Sequence, residues 1–141
     1  MTTLRDQLDR DEGRVAHAYQ DSLGYWTIGV GHLIDARKGG RLPDQVIDLL
    51  LDLDIRDATA ELRRALPWLY SLNEPRRAVL VNMAFQLGVP GLLDFHKALD
   101  ACRTGDWPRA AAEFLDSRVA RDQTPERWQR HARQIETGVW Q

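Results

Sequence analysis

Three residues near the start of the chain have types and spacing that could do chemistry together: Glu12, Asp21 and Thr27. Glu12 stands where a first helix should stop, just before Gly13. The carbonyls at a helix C-terminus carry a negative partial charge, which disfavours a carboxylate there. A half-buried acid in that place is expected to keep its proton, as a general acid must. Asp21 follows the strand-like Ala18-Tyr19-Gln20 at a turn into Gly24, and is expected to be more exposed and charged. Two carboxyls in unlike surroundings let one site hold both an acid and a base. Glycoside hydrolysis uses such a pair: one protonates the leaving oxygen, the other stabilises positive charge or activates water. Alternation puts Trp26, Ile28 and Val30 on one strand face and Thr27 on the other, where its hydroxyl can orient that water. Glu at a helix end and Asp in a turn are also ordinary structural features. The trio by itself leaves both readings open.

The elements that must position these residues follow from local pattern. Residues 3–12 read as a short helix, with Thr2 or Thr3 as cap, Leu4 and Leu8 one turn apart and Gly13 as the stop. Residues 15–34 change character: Tyr19, Tyr25, Trp26, Thr27, Ile28 and Val30 favour strands, and Gly24, Gly29 and Gly31 mark turns or close approaches. This predicts a short, twisted hairpin or three-stranded sheet. Arg37-Lys38-Gly39-Gly40 is a loop. Pro43 suits the first turn of a long helix that Pro67 ends, with an apolar stripe through Val46, Ile47, Leu50, Leu51, Ile55, Ala58, Leu62 and Leu66. Glu74-Pro75 opens a helix through Val79, Leu80, Met83, Ala84 and Leu87, apolar nearly all round and so expected at a buried centre, ending at Gly88. Helices near 92–103, 107–116 and 124–135 follow, with Thr124 as N-cap and Pro125 as first residue of the last.

The fold class expected is α+β. A small sheet lobe (about 13–42) joins a larger helical lobe (about 67–141 plus helix 1) through the long helix (about 43–66), with a cleft between the lobes. A chain of 141 residues can bury a core without staples, and a single cysteine, Cys102, allows no intrachain disulfide. The first ten residues carry charges where a secretion signal needs an apolar core, and no apolar run approaches bilayer length. Net charge is −2, so global charge does not attract the chain to anionic polymers. With only Lys38 and Lys97 as lysines, nucleic acid is not an expected partner. Charge is uneven: Asp44, Asp48, Asp52, Asp54, Asp57 and Glu61 make one stretch acidic, and Arg118, Arg121, Arg127, Arg130 and Arg133 make the C-terminal stretch basic. Solvated helix faces are the favoured reading of both runs.

Longer blocks sharpen the functional reading. Arg10-Asp11-Glu12-Gly13, then Ala18 through His32 (AYQDSLGYWTIGVGH), closely resembles the phage-type lysozymes, whose pattern is E-G followed by Y-x-D-x-x-G and T-I-G-x-G-H. The resemblance continues at Arg76 to Gly88, at Asp122 to Arg127 and at Thr137 to Trp140, nearly the whole chain. It implies a muramidase that hydrolyses the β-1,4 bonds between N-acetylmuramic acid and N-acetylglucosamine in peptidoglycan, with inversion and without metal or organic cofactor. By resemblance Glu12 matches the general acid, Asp21 the second carboxylate and Thr27 the residue that positions water. Inversion implies carboxyls on the order of 6.5–9.5 Å apart. Leu33, Phe85 and Gln86 match positions lining the sugar-binding cleft. Arg127 matches an arginine that pairs with the acid, and His32 is expected to pair with Asp54 in a structural role. The implied setting is a monomer kept in the host cytoplasm until a holin releases it to the wall in the periplasm for host lysis.

Two departures stand out. The stretch between His32 and the long helix is much shorter than in larger members, and the chain is acidic where many are basic. The basic C-terminal run with Trp128 and Trp140 allows a weak membrane contact, against the favoured reading that the tryptophans pack into the core. Two rival functions are a lytic transglycosylase, which needs no water-positioning pair, and a non-catalytic wall-binding domain, which needs none of the trio.

Overall fold

The computed structural model describes residues 3–141. It is mostly helical with one small antiparallel sheet, the α+β class expected. By compactness the chain divides inside its longest helix, into one unit ending at Leu51 and another running Asp52–Gln141. Helix 1, grouped with the helical part by sequence, falls in the first unit.

In the first unit, α1 spans Leu4–Glu12. The Thr3 hydroxyl accepts the Asp6 N–H, and the Asp6 carboxylate accepts the Thr3 N–H at 2.7 Å, a reciprocal cap. Thr2, the alternative cap, lies outside the described residues. At the far end Gly13 takes φ 76° and donates its N–H to the Asp9 carbonyl, so the chain leaves the helix directly after Glu12. The strands β1 (Val15–Gln20), β2 (Trp26–Gly29) and β3 (His32–Leu33) form a sheet in that order. Tyr19 pairs with Thr27, Thr27 with Leu33 and Ile28 with His32, with an irregularity in β1 between Val15 and Tyr19.

Trp26 is 37 % exposed, while Thr27 on the other face is buried at 5 %. Thr27 occupies the central strand, paired with Tyr19 on one side and Leu33 on the other.

Helix α2 spans Asp44–Ala65, close to the expected bounds. Its apolar stripe is only partly used. Leu62, and Leu66 just beyond the helix, are buried, whereas Ile47, Leu50, Leu51 and Ile55 are exposed. Only the last turns of α2 reach the helical core of the second unit.

That core is built on α3 (Glu74–Leu93), α4 (His96–Thr104), α5 (Trp107–Leu115) and α6 (Pro125–Thr137). Asn73 caps α3 by accepting the Arg76 N–H, and Pro75 fits its first turn. Val79, Leu80, Met83 and Ala84 are buried, as the all-round apolar pattern predicts. Gly88, the expected stop, breaks the helix with φ 74° and ψ 156°, and a short helical stretch resumes to Leu93. Because those residues continue α3, the next helix starts at His96 rather than 92. Gly105 ends α4 in the left-handed region, and Asp106 caps α5 through the Arg109 N–H. A wide helical turn at Val119–Gln123, closed by Thr124 N–H to the Val119 carbonyl at 2.9 Å, had no sequence signal.

Trp128 of α6 is fully buried, stacked on Phe95 at 5.4 Å and edge-on to Phe114. Any amphipathic surface at the basic end therefore lacks that ring. Trp140 is exposed.

Candidate active site

The chemistry-bearing residues of the first unit sit at element ends and turns. Glu12 closes α1 and is exposed, not half-buried as expected; no residue of this helix is buried. Its carboxyl lies against the β2–β3 turn: a methyl group built on Gly31 would come 2.9 Å from Glu12 Oε2. The acid is thus set beside the turn that follows the strand carrying Thr27.

Asp21 is held by its own loop. Oδ1 accepts the N–H groups of Leu23 and Tyr25, each at 2.9 Å. The Asp21 N–H donates to the Tyr25 carbonyl at 2.8 Å, and the Gly24 N–H donates to the Asp21 carbonyl at 3.0 Å. This closed turn accounts for the Asp-x-x-Gly spacing: Asp supplies the side-chain acceptor and Gly24 the positive φ of 84°. Asp21 is half-buried, and among the described residues only Oδ1 is engaged within the protein.

Thr27 donates its hydroxyl proton to the Tyr25 carbonyl at 3.2 Å. That bond ties its rotamer to the loop that holds Asp21 and leaves the oxygen's lone pairs as acceptors. His32 and Leu33 of β3 are both exposed, so Leu33 offers an apolar surface beside Thr27, its partner across the strands.

The second unit holds the remaining residues singled out by sequence. Phe85 is half exposed on α3 and offers a ring face to a ligand. Gln86, expected at the sugar, is engaged inside the protein. Its Nε2 donates to the Thr124 hydroxyl and its Oε1 accepts Trp128 Nε1–H, both at 3.1 Å. Thr124 stands at the N-cap of α6, but its side chain serves Gln86 and makes no cap bond. Asp54 is exposed on α2.

Arg127 donates to the Asn82 side chain. Sequence reasoning passed over Asn82, although it lies in the block Arg76 to Gly88. Both line a cavity of about 460 Å³ with Arg130, His131, Gln134 and Trp140. His131 is 7 % exposed, and its Nε2 has no hydrogen-bond partner among the described residues. Burial first, then the charges of Arg127 and Arg130, push its pKa down to about 4. Arg76, another residue of that block, stacks on the Trp107 ring at 3.9 Å. It donates to the carbonyls of Ile135 at 2.7 Å and Glu136 at 3.0 Å, tying α3 to the end of α6.

Comparison with known proteins bears on this arrangement. The phage lysozyme family model matches residues 9–134. A probable T4-type lysozyme of Dictyostelium discoideum is 29 % identical, covering 99 % of this chain and 96 % of the relative. The pre-baseplate central spike protein of Enterobacteria phage T4 is 30 % identical over 82 % of this chain and 24 % of its own length. An endolysin of Acyrthosiphon pisum secondary endosymbiont phage 1 is 27 % identical over 77 % of this chain and 72 % of its own.

Proposed function

This chain belongs to the phage lysozyme family, a peptidoglycan-lytic glycosidase, and from that premise we propose that Glu12, Asp21 and Thr27 carry an inverting hydrolysis of the glycan strand. The bond cleaved is the β-1,4 link from N-acetylmuramic acid to N-acetylglucosamine. Glu12 protonates the bridging oxygen as that bond breaks. Asp21 takes a proton from a water that attacks the muramic acid anomeric carbon from the opposite face, and Thr27 accepts a hydrogen bond from the same water. Leu33 and Phe85 give the sugar rings apolar surface.

One observation carries it. The carboxyl that ends α1 rests on the turn beyond the Thr27 strand, and Thr27 is bonded to the loop that holds Asp21. The proposal extends to a monomer acting in host lysis after a holin opens its route from the host cytoplasm to the wall.

The test is digestion of purified peptidoglycan with products read by mass and by anomeric NMR. Wild type should yield reducing-end muramic acid as the α-anomer. Glu12→Gln should lose about 10²–10⁴-fold in rate with its fold intact. A 1,6-anhydro product would establish a lytic transglycosylase instead, and a wild-type rate in Glu12→Gln would remove the acid assignment. No cleavage by the wild type would leave a wall-binding domain.

A further inference from the structure

Gly31 stands in the β2–β3 turn, nineteen positions from Glu12 in sequence and in contact with it in space. Its φ is +63°, and a Cβ there would meet Glu12 Oε2 at 2.9 Å, Cδ at 3.3 Å and Cβ at 3.4 Å. The first of these is closer than side-chain carbons tolerate, so with any other residue at position 31 the Glu12 carboxyl must move. Gly29, two residues earlier in the same hairpin, has a similar φ of +70°, yet a Cβ added there meets nothing within 4 Å among the described residues. The two glycines thus share one backbone requirement, and only Gly31 adds a steric one.

We propose that Gly31 is a positioning residue for the acid: the missing side chain leaves the space in which the Glu12 carboxyl rests, and so sets where its proton is presented. This rests on the assignment of Glu12 as general acid. An acid must meet the leaving oxygen within hydrogen-bond reach, and a displacement of about 1 Å can cost on the order of 10²-fold in rate. The clashing atoms are the far end of a flexible side chain. Gly31→Ala should therefore move the carboxyl while leaving the sheet in place.

The experiment compares Gly31→Ala, Gly29→Ala, Glu12→Ala and the double variant Glu12→Ala/Gly31→Ala, by kcat and KM on soluble peptidoglycan fragments and by thermal midpoint. Both glycine variants carry the strain of a left-handed alanine. Gly31→Ala should lose about 10- to 100-fold in kcat with KM within about twofold, while Gly29→Ala keeps kcat within about threefold. Gly31→Ala should also lower the midpoint further than Gly29→Ala, and that surplus should vanish when Glu12 is already alanine. If Gly31→Ala fails to fold, folding of the double variant supports the contact, and its failure beside a folded Gly29→Ala overturns it. Equal kcat losses in the two glycine variants, or a midpoint surplus independent of residue 12, overturns the proposal. A dead Glu12→Gln beside a fully active Gly31→Ala overturns this proposal alone, whereas an active Glu12→Gln overturns the acid assignment and this proposal with it.

Discussion

Acidification should weaken this fold through His131. The imidazole is buried against Trp128, with Arg127 and Arg130 nearby, and its Nε2 finds no partner among the described residues. Folded, it takes up a proton only near pH 4, against an ordinary value of 6.5. Between those values the unfolded chain binds the extra proton and the folded chain does not, so stability rises with pH across that window. The full contribution is present above pH 6.5 and is lost as pH falls toward 4. At about 1.4 kcal/mol for each pH unit, the loss comes to about 3 kcal/mol. That is a large part of the 5–15 kcal/mol (roughly) that holds a domain folded. Carboxylates titrate in the same range, so the assay is urea unfolding at pH 7 and pH 4 for wild type and His131→Leu. Leucine is close to histidine in volume and removes the titration, so at pH 7 the variant should lie within about 1.5 kcal/mol of wild type. Between the two pH values, wild type should lose about 3 kcal/mol more than the variant. Parallel losses would show that His131 is not held neutral by burial, and would refute the reasoning.

Other consequences are equally direct. Gln86→Leu strands the buried Trp128 Nε1–H and should cost about 1–3 kcal/mol in urea unfolding; an unchanged midpoint would mean the bond is not needed. Arg76→Lys keeps the charge but loses the fork that reaches two carbonyls and the face on Trp107, so about 2 kcal/mol of stability should go. Cys102 is 1 % exposed, and burial pushes its thiol up to about 12, only partly offset by Arg76. It should ignore a soluble thiol reagent at pH 8 in the native protein and react fully once the chain is unfolded, as absorbance of the released chromophore will report.

Much of this molecule was legible from short stretches of chain. The cap at Thr3, the stop at Gly13, the Asp21–Gly24 turn, the Pro and Gly junctions of the last helices and the buried face of α3 all depend on neighbours within a few residues or on helical period. Residue type alone therefore decides them. Spacing likewise placed Glu12 at a helix end, Asp21 in its turn and Thr27 in a strand. Burial and partner choice were not legible, because they depend on groups far apart in sequence. Alternation sorted the faces of β2 but could not say that Thr27 is buried and Trp26 exposed, since that depends on what folding lays over each side chain. Gln86 looked free until Thr124 and Trp128, 38 and 42 residues on, took both ends of its amide. His131 is an ordinary histidine in sequence, and only packing removes water from its ring. Gly31 reads locally as a turn glycine, while its second requirement exists only because folding lays the Glu12 carboxyl where a methyl group would be.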